Sequence, residues 1–107
     1  MNIFHLFQST DINAGVEQFL HTKNAILLDV RTEEEYREGH IEEGINIPLQ
    51  KIAEISKRVP DKEHAIFVHC LSGARSVRAK EALRQMGYNN VVDIGGINGY
   101  KGKIVRG

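Results

Sequence analysis

Apolar residues along this chain recur with two spacings, and the alternation between them predicts the architecture. Ile3 to Phe7 ("IFHLF") reads as a short first strand. Ile12, Val16, Phe19 and Leu20 then fall at i, i+4, i+7 and i+8, one face of a helix for which Ser9, Thr10 and Asp11 are candidate N-caps. "AILLDV" (Ala25 to Val30) and "AIFVHC" (Ala65 to Cys70) are continuous apolar runs, the pattern of strands buried on both faces of a parallel sheet. Between them, "TEEEYREG" predicts a short helix with Thr32 as cap, Glu33 to Glu35 in its first turn and Gly39 at its end. "INIPL" is a short strand stopped by Pro48, and Leu49, Ile52, Ile55 and Val59 predict a helix closed by Pro60. Ala79, Ala82, Leu83 and Met86 mark the next helix, with Gly87 at its end, and "NVVDIGG" is the last strand. Strands alternate with helices, so the class is α/β with a mostly parallel sheet.

Composition narrows the partners. The chain has 107 residues, expected to form one domain over 1–107. Lys plus Arg equals Asp plus Glu at 14 each, which argues against nucleic acid as a main partner. No apolar run approaches a membrane span, and the N-terminal stretch lacks the basic start and long apolar run of a signal peptide. The lone cysteine, Cys70, can form no internal disulfide. The expectation is a soluble, cytoplasmic protein. Five histidines are present, but none has the spacing of a zinc site. "GGINGYKGKIVRG" lacks the glycine at Ile97 and the hydroxyl at Ile104 that a phosphate-binding loop needs. Lys101, Lys103 and Arg106 read as a solvated basic tail.

The candidate chemistry sits in "FVHCLSGARS". Cys70 ends a buried-type strand, and ligands of open α/β sheets bind beyond the carboxyl ends of strands. A tight loop with Gly73 follows, and then a helix. If the loop curls around the sulfur, its N–H groups and the first unpaired N–H groups of the helix form an anion nest, and its natural occupant is a thiolate. Gly73 suits a backbone position without a Cβ, and Arg75 supplies a fixed charge or buttresses the loop through a carboxylate. The competing reading is an inert core cysteine. His69 neighbours Cys70 but points to the opposite face of a strand, so it is not expected to act as its base.

Three motifs then carry a resemblance. "LLDVRTEEEYREGHIEEGINIPL" (Leu27 to Leu49), "CLSGARS" (Cys70 to Ser76) and "GGINGY" (Gly95 to Tyr100) together resemble the rhodanese-like domain over nearly the whole chain. The resemblance implies a five-stranded, mostly parallel sheet with helices on both faces. It implies transfer of a sulfane sulfur through a persulfide on Cys70, cradled by Leu71, Ser72, Gly73, Ala74, Arg75 and Ser76, with no cofactor and no metal. The donor would be thiosulfate or a glutathione-type persulfide, and the acceptor a thiol, cyanide or a protein thiol. Asp29 and Arg31 are candidate supports of the loop, and Glu35 a candidate ionic partner of Arg75.

Related folds use such a loop for phosphatase or arsenate reductase chemistry, and some members of the family serve as non-catalytic binding modules. Cys70 to Arg75 spans six residues, and the resemblance implies that this length goes with sulfur, while the related cell-cycle phosphatases have one residue more. A phosphatase also needs a general acid, for which Glu35 or Asp29 would have to serve. Leu71 stands where thiosulfate-using members often carry a basic residue, which disfavours thiosulfate as main donor. Glu43, Gly44 and Tyr100 also depart from the family's usual residues, with consequences for local packing.

Overall fold

The computed structural model describes residues 11–107. The strand expected at Ile3 to Phe7 and the caps Ser9 and Thr10 lie outside the described residues. Helix α1 (Ile12–Leu20) is capped by Asp11, whose Oδ1 accepts from the N–H of Asn13 at 3.0 Å. Its Ile12, Gly15 and Val16 are buried. Leu20, expected on the same face, is 55% exposed, because the helix ends there and Phe19 makes the contact to Phe67, with ring centroids 5.9 Å apart.

Strand β1 (Ile26–Asp29) follows, then α2 (Glu33–Glu38), β2 (His40–Ile41) and β3 (Gly44–Asn46). The region expected as one helix from Leu49 to Val59 divides into a 3-10 helix (Leu49–Glu54) and α3 (Ile55–Arg58). The tight bond from the Lys51 N–H to the Pro48 carbonyl, 2.8 Å, and the non-helical backbone at Lys51 prevent one continuous helix. Strand β4 (Ile66–Cys70), α4 (Ala74–Gln85), β5 (Val91–Gly96), a 3-10 turn (Ile97–Gly99) and β6 (Ile104–Val105) complete the chain.

Among the described residues the main sheet has four strands in the order β3-β1-β4-β5, all parallel. Its two central strands carry the continuous apolar runs. Leu28, Val30, Val68 and Cys70 face α3 and α4 through Ile55, Val59, Ala79 and Leu83. Leu27, Phe67 and Ile94 face α1 through Ile12 and Val16. Helices therefore cover both faces, and the side-chain alternation of β4 sends His69 and Cys70 to opposite ones. No helix among the described residues is long and apolar enough to cross a membrane.

The basic tail is not merely a solvated end. Strand β6 pairs antiparallel with β2, His40 opposite Val105 and Ile41 opposite Ile104. Its cations do stay in water: Lys103 meets Glu42 only at 3.9 Å between exposed side chains.

Gly15 lets α1 lie directly on the sheet. A Cβ there would stand 2.3 Å from the Ile94 Cβ. Gly15→Ala is expected to destabilise the fold by about 1–3 kcal/mol, read from urea denaturation. An unchanged midpoint would show that α1 moves off the sheet at no cost.

Candidate active site

The carboxyl ends of β1, β4 and β5 bring Asp29, Cys70 and Gly96 to one edge of the sheet. Cys70 is 1% exposed and free. Its Sγ accepts the backbone N–H of Gly73 at 3.0 Å and of Ser76 at 3.3 Å. The loop thus curls back on the sulfur, and Ser76 lies in the first turn of α4, where N–H groups have no partner within the helix. Gly73 has φ of +111°, the left-handed region. A Cβ at Gly73 would touch nothing within 4 Å, so the site needs glycine for its backbone angle and not for space.

Arg75 and Glu35 form a bidentate pair, Nη1 to Oε1 at 2.8 Å and Nη2 to Oε2 at 3.0 Å. Glu35 also accepts the Thr32 N–H at 2.8 Å, while Thr32 Oγ1 accepts the Glu35 N–H at 3.1 Å, a complete capping box. One carboxylate therefore fastens the start of α2 and grips the loop. The Arg75 guanidinium pulls the Glu35 carboxyl from 4.5 down to about 2, and Glu35 in turn raises Arg75. Of the two roles open to Arg75 in the sequence, the geometry displays the buttress.

Asp29 and Arg31 do not bond the loop. Arg31 donates from Nη2 to Asp29 Oδ2 at 2.7 Å and to the Gly39 carbonyl at 2.8 Å. Asn46 Nδ2 donates to the carbonyls of Asp29 and Arg31 at 2.9 and 3.0 Å. This cluster fixes the turn after β1, from which α2 carries Glu35 to Arg75. His40 belongs to the same structural layer, stacked on Tyr36 at 3.7 Å between centroids with Nδ1 2.8 Å from the Tyr36 carbonyl. His69 does not reach the sulfur, as its strand position requires, but its Nδ1 lies 3.1 Å from the Cys70 carbonyl oxygen.

The glycine turn after β5 touches the loop more closely than the sequence suggests. The Asn98 N–H donates to the Leu71 carbonyl at 3.0 Å. A Cβ on Gly96 would stand 2.4 Å from that same carbonyl oxygen and 2.7 Å from the Ser72 Cα. Both are backbone atoms of the loop, so no side chain can give way. "GGINGY" stood out as a motif, but the type of contact behind it was not readable.

The comparisons agree with this geometry. The Rhodanese-like domain family matches residues 13–103. The chain is 44% identical over 71 residues to thiosulfate sulfurtransferase PspE of Escherichia coli (strain K12), covering 65% of this chain and 68% of that protein. It is 31% identical over 80 residues to a sulfurtransferase of Allochromatium vinosum, covering 75% and 74%. A solved rhodanese with anions from E. coli superposes with a TM-score of 0.73 at 38% identity, over 78% of this chain and 99% of that one. The chain belongs to the rhodanese-like domain family. Within that family it is a rhodanese-type sulfurtransferase.

Two outcomes are expected. Folding lowers the proton affinity of Glu35, so its pairing with Arg75 contributes fully above pH 4.5 and is lost as pH falls toward 2. Glu35→Gln should cost about 1 kcal/mol at neutral pH, a gap to wild type that closes toward the acid end of a denaturation series. A gap constant with pH would contradict the pairing. Gly96→Ala should slow alkylation of Cys70 by about tenfold or more, since a small displacement of the loop misplaces its amides. A rate equal to wild type would show that β5 does not hold the loop.

Proposed function

We propose that Cys70 is the nucleophile of the transfer and carries the moving sulfur as a persulfide. The observation behind this reading is the convergence of the Gly73 and Ser76 amides on Sγ at the carboxyl end of a parallel strand. The Cys70 thiolate attacks the outer sulfur of the donor and forms a sulfur–sulfur bond. The bond from that sulfur to the rest of the donor breaks with its electron pair. The donor leaves as sulfite if it was thiosulfate, or as a thiolate if it was a persulfide. An acceptor thiolate or cyanide then attacks the outer sulfur, and the pair returns to Cys70. The chain has no second cysteine, so the acceptor comes from another molecule, a small thiol or a protein. The amides of Leu71 to Ser76 hold the negative charge that alternates between the inner and outer sulfur.

Within this reading the donor is a persulfide in preference to thiosulfate. A groove of about 340 Å³ beside the loop is lined by Arg31, Glu35, Glu38, Gly39 and Leu71. Arg31 is neutralised by Asp29 and Glu35 by Arg75. Leu71 is 37% exposed and adds an apolar wall. Among the described residues this groove offers a dianion no uncommitted cation, and Glu38 repels it. The same pairings weigh against a phosphatase, because Glu35 and Asp29, the nominated general acids, are each engaged by an arginine. We take residues 1–107 as one domain, working in the reducing cytoplasm, where a lone thiol stays free.

The test incubates the protein separately with thiosulfate and with glutathione persulfide, followed by intact-mass and peptide mass spectrometry. One added sulfur on Cys70 is expected, faster from the persulfide, and Cys70→Ser should abolish both labelling and transfer. Transfer that survives Cys70→Ser would refute the nucleophile. Hydrolysis of a phosphate ester with no labelling would favour the phosphatase, and no reaction at all the binding module.

A further inference from the structure

His69 is fully buried, and the sulfur-transfer steps above make no use of it. Its two ring nitrogens meet different neighbours. Nδ1 lies 3.1 Å from the Cys70 carbonyl oxygen. Nε2 has no hydrogen-bond partner and stands 3.8 Å from Asp29 Oδ2. A carbonyl oxygen only accepts, so the Nδ1 contact is a bond only if Nδ1 carries the hydrogen. The charged groups around the ring are Asp29 and Arg31 at the end of β1 and Asp93 on β5. Burial outweighs the two carboxylates and moves the ring below its usual 6.5, which keeps it neutral near pH 7. A neutral ring has one hydrogen, and Nδ1 has the use for it.

The Cys70 carbonyl is one of a set. The Leu71 carbonyl accepts from the Asn98 N–H and the Gly73 carbonyl from Ser76 Oγ, each at 3.0 Å. In a trans peptide the N–H points opposite to the C=O. Holding the Cys70 carbonyl on His69 therefore also fixes the direction of the Leu71 N–H, on the opposite side of that peptide plane. We propose that His69 is a positioning residue, whose Nδ1–H holds the Cys70 carbonyl and through that peptide plane aims the Leu71 N–H at the place of the transferred sulfur. The proposal rests on the reading of Cys70 as the sulfur carrier.

Nitrogen-15 NMR of the wild-type protein tests the tautomer without any substitution. His69 is expected as the Nδ1–H form near neutral pH, with a bare Nε2. An Nε2–H form, or an imidazolium, overturns the proposal. The second test compares His69→Asn, whose amide nitrogen takes the place of Nδ1, with His69→Gln, which puts it near Nε2. Single-turnover loading of Cys70 by glutathione persulfide should stay within about threefold of wild type in His69→Asn and fall about tenfold or more in His69→Gln. In steady state the loss should appear in kcat with KM nearly unchanged. Equal losses in the two variants, or a loss in His69→Asn alone, overturn the positioning role, and if His69→Gln does not fold, a loss of about tenfold in folded His69→Asn relative to wild type overturns it by itself. Failure of wild-type Cys70 to take up sulfur from any donor would instead sink the carrier assignment, while leaving the tautomer readable.

Discussion

Everything at the site depends on backbone amides turned inward onto one sulfur atom. The Gly73 and Ser76 N–H groups would otherwise be orphans, one in a loop and one in the first turn of a helix. Directed at Sγ, they are donors already in place for negative charge on that atom, which is what the proposed transfer requires. The arrangement needs one left-handed backbone position, which glycine takes at Gly73 without strain, and is held from several sides. β4 supplies the sulfur, α4 supplies an amide, and β5 with the 3-10 turn after it presses on the loop through Gly96 and Asn98.

Charge is distributed around this nest so that little of it is free. Of two guanidinium–carboxylate pairs, Asp29 with Arg31 fixes the turn after β1, and Glu35 with Arg75 ties α2 to the loop. Each arginine is in a bidentate or forked contact, which fixes direction as well as charge. On the proposed mechanism the amides, and not side-chain cations, bind the sulfur anion. The mouth is left apolar at Leu71 and acidic at Glu38, which bears on the donor and not on the transfer step.

The sequence displayed the parts of the site that depend on residue type and spacing. The apolar run ending at Cys70 placed the thiol at a strand end, and the glycine and arginine that follow it marked the loop. Thr32 and Glu35 stand three apart before a helix, so the cap was visible, and the partner of Arg75 was nameable from the motif around it. What stayed hidden depends on backbone contacts between distant segments. Strands β2 and β6 are two residues each, too short to show any period, and they pair across more than sixty positions of chain. Gly96 was visible as a glycine, but not as the point where β5 meets a loop carbonyl. His69 was correctly kept away from the sulfur by strand alternation, and the same reasoning concealed its contact with the Cys70 carbonyl. Asp29 and Arg31 were candidate supports of the loop. The Arg31 guanidinium donates instead to Asp29 and the Gly39 carbonyl.

The central claim is that the loop amides, and not a side-chain cation, hold the charged sulfur. A crystal structure of the protein after reaction with glutathione persulfide tests it most directly. The account predicts an outer sulfur bonded to Cys70 Sγ, inside the loop and within hydrogen-bond distance of its amides, with Arg75 still paired to Glu35. An outer sulfur directed away from the loop, or an Arg75 released from Glu35 to meet it, would contradict the account.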